Sequence, residues 1–263
     1  MNKLTIGMAT YDDYLGVFFT LEAIKLYHSE ILNDIEFIVI DNNPGSLQSK
    51  YIKKYTEKDV LNCEYISYKE RVSTFVRFEL FKIAKTPYVL CIDSHVLIEA
   101  GALKKLLNYY DNNPDTKNLL QGPVIRPNGI STHFDPIWED GMYGHWATDE
   151  RGLNPEAPPF EIEMQGLGLF SCKKEAFPEI NTSFKGFGGD EGYIHEKFRQ
   201  NGGKVLCLPF LRWVHHFKNY GEVPYPLTWK DRVTNYEIAF KELGWDLDPM
   251  YKNMEFSKIK RPF

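Results

Sequence analysis

Short apolar runs and segments with helical periodicity alternate along residues 3–110, and this alternation constrains the fold more than any other feature of the sequence. Strands that alternate with helices are typical of parallel βαβ units with right-handed crossovers. The sequence therefore predicts an α/β fold with a mostly parallel sheet flanked by helices. The expected strands are 3–11, 35–45, 63–67 and 87–93, and the expected helices are 17–28, 47–55, 72–84 and 101–110.

The pattern loses its regularity in the second half of the chain. A strand is expected at 118–125, but over 126–159 Gly, Pro, Trp, Asp and His crowd together without periodicity, which is typical of a functional loop. Because no repeat, low-complexity tract or linker is found, we expect one domain over residues 1–263 with a C-terminal extension folded over it. Later segments predict strands at 163–174 and within 204–217, and helices at 190–203 and 226–245.

The composition is that of an ordinary globular protein, with 263 residues of which 43% are hydrophobic and 25% charged. The formal net charge is −5, with 31 Lys and Arg against 36 Asp and Glu, so no tight non-specific binding of nucleic acid is expected. Aromatic residues make up 15% of the chain, which indicates a thick core or a site that stacks flat ligands.

Cysteine usage and the N-terminus bear on the compartment. The four cysteines, none of them in a CxxC pair, are expected to be buried thiols in a reducing environment. They are Cys63, Cys91, Cys172 and Cys207. The N-terminus enters a strand without the apolar region of a signal peptide, and no stretch reaches transmembrane length. We therefore expect a cytoplasmic protein.

Polar side chains cluster where the expected strands end. Ligands of open α/β sheets bind beyond the carboxyl ends of the strands, near the point where the strand order reverses. These clusters are therefore the first candidates for a binding site. The first strand ends in Thr10-Tyr11-Asp12, the second in Asp41-Asn42-Asn43 and the fourth in Asp93-Ser94-His95.

Asp93 and His95 are two residues apart, and in extended chain residues at that spacing point to the same face. A carboxylate and an imidazole that converge on one point can ligate a divalent cation. The mixed pair suits Mn²⁺, with Mg²⁺ as the second choice. A third ligand is available from His215 or His216, which follow a later apolar run. The alternative is that His95 is a satisfied histidine that caps the next helix.

Asp190 and Glu191 follow two glycines at the expected start of a helix. Carboxylates at that position are favoured by the helix dipole, so a plain N-cap is one interpretation. The other interpretation is a general base, or a grip on substrate hydroxyls. His195 and Glu196, further along the helix, lack the second histidine of a zinc-protease motif, and we expect them to be solvated on the surface.

Taken together, these motifs resemble the nucleotide-sugar glycosyltransferases of the GT-A fold, in particular the family 2 glycosyltransferases. YVLCIDSH resembles their metal-binding DxD or DxH strand end, and LRWVHHF resembles the segment of their late metal-binding histidine. MQGLGLFSCKKEAF and FKGFGGDEGYIHEKFRQNGGKV resemble the acceptor-side segment. Individual segments are similar to polypeptide N-acetylgalactosaminyltransferases and β-1,4-galactosyltransferases. The resemblance runs in the family's order from about residue 3 to about residue 220.

The resemblance implies a GT-A, Rossmann-like fold with a nucleotide-binding half, 1–125, and an acceptor-binding half, 126–263, that carries a C-terminal helical extension. It implies a metal-dependent hexosyl- or pentosyltransferase that uses a nucleoside diphosphate sugar. A UDP-sugar is preferred because Asp41 corresponds to a residue that accepts a hydrogen bond from the base, and a carboxylate suits the N3–H of uracil. An inverting reaction is expected, and a retaining one stays open.

The resemblance also assigns ligand-binding residues. Asp93, His95 and His215 correspond to the metal ligands, with His216 as the alternative to His215. Arg77 corresponds to a residue that reaches toward the diphosphate, and the alternative is a surface helix arginine. The residues assigned to the nucleotide sugar are Thr10, Tyr11, Asp12, Asp41, Arg77, Asp93, Ser94, Gln165 and Gly166.

Inverting members of the family usually carry Glu-Asp at the paired-acid position, with the second acid as base. This chain carries Asp190-Glu191, so Glu191 is the first candidate base and Asp190 the second. Asp190 is also expected to contact the acceptor, and Trp138 and Trp146 are expected to stack on a sugar face. The alternative for both tryptophans is packing on the core. The segment 218–226 is expected to close over the donor.

Two other function classes stay open. A metal-dependent nucleotidyltransferase or hydrolase would use the same Asp and His residues, although MATYDDYLG carries no Lys or Arg for a phosphate loop. A catalytically inactive sugar-binding module commonly loses the metal ligands or the paired acids, and this chain keeps candidates for both. The acceptor is a glycan, a protein, a lipid-linked sugar or a modified nucleobase, and the sequence does not choose among them.

Overall fold

A computed structural model describes residues 2–216 and 225–260, with side chains as far as residue 254. Its strands are β1 (Leu4–Thr10), β2 (Ile35–Asp41), β3 (Cys63–Ser67), β4 (Tyr88–Asp93), β5 (Val96–Ile98), β6 (Leu119–Gln121), β7 (Val124–Arg126), β8 (Gly129–Ser131), β9 (His133–Glu139), β10 (Met142–Ala147), β11 (Phe160–Glu161), β12 (Leu169–Lys173), β13 (Val205–Cys207) and β14 (Trp213–His215). Its α-helices are α1 (Tyr14–Tyr27), α2 (Leu47–Lys58), α3 (Leu80–Ile83), α4 (Ala102–Asn112), α5 (Glu191–Gln200), α6 (Trp229–Leu243) and α7 (Asp248–Lys260).

The main sheet has eight strands among the described residues, in the order β11-β13-β6-β12-β4-β1-β2-β3. β1 pairs in parallel with both β2 and β4, and β2 pairs in parallel with β3. β12 is antiparallel to its neighbours β4 and β6. The chain moves outward from β1 to β3 and then returns to β4, so the strand order reverses between β1 and β4. The predicted α/β fold with a mainly parallel sheet flanked by helices is confirmed.

Side chains of the central strands alternate between two buried clusters, one on each face of the main sheet. In β2, Phe37 and Val39 belong to one cluster and Ile38 and Ile40 to the other. The first cluster includes apolar residues of α1 and α4, and the second includes those of α3, α5 and α6. Helices therefore cover both faces of the sheet, which explains why these strands are continuous apolar runs in the sequence.

The expected strand 118–125 divides into β6 and β7, which lie in different sheets. β7 joins a second sheet with the order β5-β14-β7-β8. Gly122 lies at the break, and its carbonyl accepts a hydrogen bond of 2.9 Å from the indole Nε1–H of Trp213. A Cβ atom at residue 122 would lie 1.7 Å from the carbonyl oxygen of Leu211. Only glycine permits this close approach of two backbone segments, which places β14 beside β7.

Residues 126–159 contain a β-ribbon instead of the irregular loop expected from composition. β9 and β10 pair antiparallel, with Glu139 opposite Met142. The two residues between them, Asp140 and Gly141, have positive φ angles of 47° and 77°. Positive φ at both central residues is the geometry of a type I′ turn, for which Asp-Gly is a preferred sequence. This dipeptide is a hairpin signal that the missing periodicity concealed.

Other elements differ from expectation in their type or extent. The expected helix 72–84 is a 3₁₀ helix, Thr74–Glu79, followed by the short α3. The expected helix 226–245 corresponds to α6, and the sequence did not predict α7, which follows it. The segment 218–226, expected to close over the donor, lies mostly outside the described residues. The expected boundary at residue 125 falls inside β7, and the single-domain, two-half organisation stays a prediction.

Thiol burial agrees with the sequence, since Cys91, Cys172 and Cys207 are buried, Cys63 is half-buried and all four are free. None of the helices formed by residues 2–216 and 225–260 has both the length and the apolar composition that crossing a bilayer requires.

Gly122→Ala is expected to destabilise the protein by about 1–3 kcal/mol, because the added methyl group overlaps the backbone of Leu211 and no side-chain rotation relieves the overlap. Urea denaturation followed by circular dichroism measures the free energy of unfolding. Gly45→Ala is the matched control, since Gly45 is exposed and a Cβ atom there meets no atom within 4 Å. Equal stability of the two variants would contradict the close approach at residue 122.

Candidate functional site

The candidate site lies at the carboxyl edge of the main sheet, where the strand order reverses between β1 and β4. Asp93 is the last residue of β4 and pairs in register with Ala9 of β1. Its backbone N–H donates to the carbonyl of Gly168 at 2.9 Å. His95 follows in a turn between β4 and β5, not in the extended chain expected from the sequence. The sheet topology therefore delivers both residues to the position where α/β sheets bind ligands.

Pairing of β14 with β5 brings His215 to the same position. His215 lies opposite Val96 in this antiparallel pair, and the N–H of His216 donates to the carbonyl of His95 at 2.9 Å. The Nε2 atom of His215 lies 3.3 Å from Oδ2 of Asp93, whereas His216 is exposed. Because adjacent strand residues point to opposite faces, this register turns only the first of the two histidines toward Asp93.

One potential ligand atom from each of Asp93, His95 and His215 lies within 4.8 Å of the others. The two imidazole rings are nearly perpendicular, at 87°, with centroids 4.8 Å apart. One carboxylate and two imidazoles form a mixed donor set that fits a divalent first-row ion such as Mn²⁺, and three protein ligands leave coordination positions for a substrate. Metal ligation by these residues stays a prediction.

Arg77 lies beside this cluster and not on a helix surface. Its Nη1 atom is 3.4 Å from Oδ1 of Asp93 and donates to the carbonyl of Leu167 at 2.7 Å, and the side chain is 14% exposed. Burial by itself would raise the pKa of Asp93, but the Arg77 charge and the hydrogen bond from His215 hold this pKa well below its usual value. Asp93 is therefore ionised at neutral pH, which metal ligation requires. Contact of Arg77 with a diphosphate stays a prediction.

Two residues of the site were not among the candidates from the sequence. A Cβ atom at Gly168 would lie 3.1 Å from Oδ2 of Asp93 and 2.6 Å from the Trp213 ring, so glycine permits this packing. Asp13 places Oδ2 2.7 Å from both the Oγ of Ser94 and the Nδ1 of His95. Its position before the first residue of α1 was a readable N-cap signal, but its contact across 82 positions of sequence was not.

Asp190 and Glu191 lie at the start of α5, as predicted. Gly188 and Gly189, which precede them, have φ angles of 97° and 88° that side chains rarely adopt. Asn235 of α6 is fully buried and holds this turn, since its Nδ2 donates to the carbonyl of Gly188 at 2.9 Å. A Cβ atom at Gly189 would lie 3.1 Å from Asn235. The direction in which the two acids project is therefore set by the contact between this turn and α6.

Asp190 occupies the N-cap position but makes no capping hydrogen bond, so the plain N-cap interpretation does not account for its side chain. Oδ1 of Asp190 and Oε2 of Glu191 are buried and have no hydrogen-bond partner among the described residues. Burial raises the pKa of Glu191 well above its usual value, and the negative charge of Asp190 raises it further. The pair therefore keeps a proton at a pH at which an ordinary carboxyl group has lost it.

His195 is fully buried, and the expectation that it is solvated on the surface is wrong. The face of α5 that carries it packs inward, and its Nδ1 bonds to the carbonyl of Glu191 one helical turn earlier. Its Nε2 accepts the backbone N–H of Gln165 at 3.1 Å and lies 2.7 Å from the side-chain Oε1 of Gln121. Burial lowers the pKa of His195 to about 3, and the bond to Glu191 offsets this only in part.

The residues expected to bind the nucleotide lie at the ends of β1 and β2. Thr10 pairs in register with Asp41, which is 1% exposed. Asp41 accepts the N–H of Asn43 at 2.9 Å and the hydroxyl of Tyr65 at 2.7 Å. Asp12, with a φ of 50°, accepts the side-chain amide of Asn43 at 2.9 Å. The carboxylate oxygens of Asp41 retain further lone pairs, and their contact with a uracil stays a prediction.

The aromatic candidates pack against other side chains. The Tyr11 ring meets the Tyr225 ring edge to face, with centroids 5.2 Å apart. Both tryptophans contact aromatic neighbours, Trp138 with Tyr143, Tyr236 and Phe240, and Trp146 with Phe134. The contacts of Trp138 with α6 anchor the β9–β10 ribbon, and Trp146 packs against the buried cluster that includes α1 and α4. Both tryptophans therefore fit the alternative interpretation, packing on the core. Stacking of either ring on a sugar stays a prediction.

Buried polar atoms without a partner concentrate at the candidate site. An unsatisfied buried polar group costs about 1–3 kcal/mol, so natural proteins leave few of them unless water or a ligand completes the bonding. The side-chain Oε1 of Gln165 accepts the N–H of Gly166 at 3.2 Å, whereas its Nε2 has no partner among the described residues. Among the described residues, the predicted site residues with such atoms are Thr10, Asp12, Gln165, Asp190 and Glu191.

The family described as "Glycosyl transferase family 2" matches residues 5–173 of the chain. This match includes β1 to β12 and ends before the paired acids and His215. No curated protein matches the chain.

Two solved structures are similar to this chain at low sequence identity. The first is described as GalNAc-T7 with UDP, GalNAc and Mn²⁺; identity is 16%, the TM-score is 0.69, and the match covers 98% of this chain and 55% of that chain. The second is S. aureus TarS in complex with UDP-GlcNAc; identity is 14%, the TM-score is 0.60, and coverage is 97% and 71%. The chain thus spans about half the length of GalNAc-T7, and the likeness shows the expected GT-A fold.

The His195→Gln protein is expected to lose less stability than the wild-type protein as the pH falls. The folded protein keeps His195 neutral down to about pH 3, whereas the unfolded imidazole takes up a proton near pH 6.5. Its contribution is therefore present above pH 6.5 and is lost toward pH 3, by up to about 1.4 kcal/mol per pH unit. The free energy of unfolding, measured from pH 7 to pH 4.5, checks this.

His216→Gln, which changes an exposed histidine, should keep the wild-type profile. If the stability of the wild-type and His195→Gln proteins changed with pH in the same way, the lowered pKa of His195 would be refuted.

Proposed function

Because the chain belongs to glycosyl transferase family 2, we propose that it is a metal-dependent glycosyltransferase that moves a sugar from a UDP-sugar to an acceptor hydroxyl. The observation that carries the proposal is the convergence of Asp93, His95 and His215 at the strand-order reversal. The two similar structures, which are described with UDP and Mn²⁺ and with a UDP-sugar, support the same class of donor and cofactor.

In this proposal Asp93, His95 and His215 hold Mn²⁺ or Mg²⁺, which supplies positive charge for the departing diphosphate. Arg77 adds a second positive charge 3.4 Å from Asp93. Two backbone carbonyls, those of Thr74 and Leu167, fix its guanidinium at 3.0 Å and 2.7 Å. A guanidinium that is already fixed loses little freedom when it meets phosphate oxygens, which favours the role in diphosphate binding.

The uridine preference rests on Asp41. Its carboxylate is oriented by the N–H of Asn43 and the hydroxyl of Tyr65, and a uracil N3–H would add one more donor to an oriented acceptor. Cytosine offers no ring N–H at the equivalent position, so a carboxylate discriminates between the two bases. Thr10, Tyr11 and Asp12 would flank the base, and Gln165, Gly166 and Ser94 would line the rest of the donor site.

We propose an inverting displacement in which the Asp190-Glu191 pair takes the proton of the attacking hydroxyl. Glu191 is the first candidate base, because a carboxylate with a raised pKa accepts a proton more readily once it is ionised. Asp190 would then hold the acceptor through its unpartnered Oδ1. Hexosyl or pentosyl transfer, the acceptor, the roles of Trp138 and Trp146, and the cytoplasmic location remain predictions from the sequence.

His215→Ala is expected to lower the rate of UDP-sugar turnover by about 100-fold or more, because it removes one of the groups that hold positive charge at the leaving diphosphate. Release of UDP from a panel of UDP-sugars, with Mn²⁺, with Mg²⁺ and after chelation, measures the rate. His95→Ala should behave in the same way. His216→Ala is the matched control and should keep the wild-type rate, since this neighbouring histidine is exposed.

Turnover by the wild-type protein that survives chelation, or equal rates in the His215→Ala and His216→Ala variants, would eliminate the metal-dependent mechanism. Release of nucleoside monophosphate and sugar phosphate, in place of UDP, would favour the nucleotidyltransferase or hydrolase class. If a UDP-sugar binds but is not turned over with any of the acceptor classes, the inactive sugar-binding module would be favoured.

Glu191→Gln is expected to lower the rate by about 10²–10⁴-fold while stabilising the protein at neutral and alkaline pH. Because the folded pKa of Glu191 is raised, its contribution to stability is complete below the usual glutamate pKa and is lost as the pH rises through the folded pKa. Glutamine does not ionise, so the Tm advantage of the variant should grow with pH. Thermal melts from pH 4 to pH 9 and turnover rates check both effects.

The companion variant Asp190→Asn removes the neighbouring negative charge. It should therefore lower the pH at which Glu191 ionises and move the rising limb of the pH–rate profile to lower pH. If Glu191→Gln kept the wild-type rate, or if the rising limb of the pH–rate profile did not move in Asp190→Asn, the assignment of the base to this pair would be wrong.

A further inference from the structure

Asp13 joins the start of α1 to the turn that carries His95. It is 6% exposed and lies in the loop between β1 and α1. Its Oδ2 is 2.7 Å from Nδ1 of His95 and 2.7 Å from Oγ of Ser94, and its Oδ1 accepts the N–H of Gly16 at 3.0 Å. Both carboxylate oxygens thus have strong donors, and each donor belongs to an element of the candidate site or to α1.

This geometry determines where the proton of His95 lies. An ionised carboxylate only accepts hydrogen bonds, so the contact with Asp13 requires the proton of the imidazole to be on Nδ1. The neutral ring then has its lone pair on Nε2, which is the atom left to ligate a cation. Carboxylate groups that accept the second N–H of a metal-ligating histidine fix its tautomer and raise its basicity in the same way.

The turn that carries His95 is held to α1 at a second point. The hydroxyl of Thr20 lies 3.1 Å from the carbonyl of Ser94 and accepts the N–H of Val96 at 3.0 Å. Gly16 permits the close packing, since a Cβ atom there would lie 2.2 Å from Oδ2 of Asp13. The N-terminal part of α1 therefore constrains both the backbone of the β4–β5 turn and the imidazole of His95.

We propose that Asp13 is a positioning residue that holds His95 in the Nδ1–H tautomer and thereby prepares Nε2 for the cation. The inference rests on the proposed function for the cation itself, but the tautomer and its dependence on Asp13 are properties of the metal-free protein. Asp13 touches neither substrate nor reacting atoms in this assignment. Its second role, as N-cap of α1, is structural and has to be separated from the first.

Asp13→Asn separates the two roles. Asparagine caps helices about as well as aspartate, so its side-chain oxygen can still accept the N–H of Gly16. The amide nitrogen then replaces the carboxylate oxygen at Nδ1 of His95, and because it is a donor it favours the opposite tautomer, with the proton on Nε2. Ser46→Ala is the matched control for a lost or weakened cap, since Ser46 caps α2 through the N–H of Ser49 at 3.0 Å, away from the site.

The experiment uses the full chain, labelled with ¹⁵N and free of metal. Long-range ¹H–¹⁵N correlation spectra, with His95 assigned by comparison with His95→Gln, report the tautomer. Wild type is expected to have the proton of His95 on Nδ1, and Asp13→Asn to have it on Nε2. Calorimetric titration with Mn²⁺ alone should give a dissociation constant about 10–100-fold weaker for Asp13→Asn, with a Tm loss no larger than that of Ser46→Ala.

The possible results separate this inference from the proposed function. A proton on Nε2 in wild type, or an Asp13→Asn protein with the wild-type tautomer and the wild-type Mn²⁺ affinity, would overturn the role of Asp13 and leave the cation site standing. A wild-type protein that does not bind Mn²⁺, Mg²⁺ or another divalent ion would overturn the cation site and this inference with it. If Ser46→Ala weakened Mn²⁺ binding as much as Asp13→Asn does, the effect of Asp13 would be explained by its role as a helix cap alone.

Discussion

The antiparallel pairing of β14 with β5 is the interaction on which the candidate site depends. A shift of one residue would turn His215 to solvent and His216 toward Asp93, because strand side chains alternate between faces. The indole of Trp213 opposes such a shift, since it is 2% exposed and donates to the carbonyl of Gly122. Packing of an apolar core residue therefore selects which polar residue enters the site.

The charges around Asp93 favour the cation of the proposed function. Burial would lower the pKa of Arg77, yet the charges of Asp93, Asp190 and Glu191 raise it, so one guanidinium faces three acidic side chains. Protonation of Glu191 removes one negative charge from this group. Buried charge without compensation is unfavourable, and a divalent ion held by Asp93, as proposed, would add positive charge beside these acids.

Local signals in the sequence were sufficient for the sheet and for the polar strand ends, because apolar periodicity and strand-end chemistry are properties of short segments. Contacts between distant segments were not readable. The adjacency of Asp13 and His95, and the inward face that buries His195, appear only once the elements pack. The apolar pattern predicted one strand where Gly122 separates β6 from β7. The break is caused by the backbone of Leu211, which is distant in sequence and approaches Gly122 closely. The Asp140-Gly141 dipeptide is a local hairpin signal, but the residues around it lack periodicity, so a loop was expected there.

The two parts of the candidate site rest on different elements. The residues proposed to hold the cation lie at the ends of β4 and β14 beside α1, whereas the paired acids lie on α5 and on the turn that Asn235 of α6 holds. Residues 165–168 touch both supports, because Gln165 donates to His195 of α5, and Gly168 packs on Trp213 of β14. Leu167 also accepts a hydrogen bond from Arg77. In the proposed displacement, this short segment would therefore set the distance between the leaving group and the base, and its glycines and buried amide would be part of the required alignment.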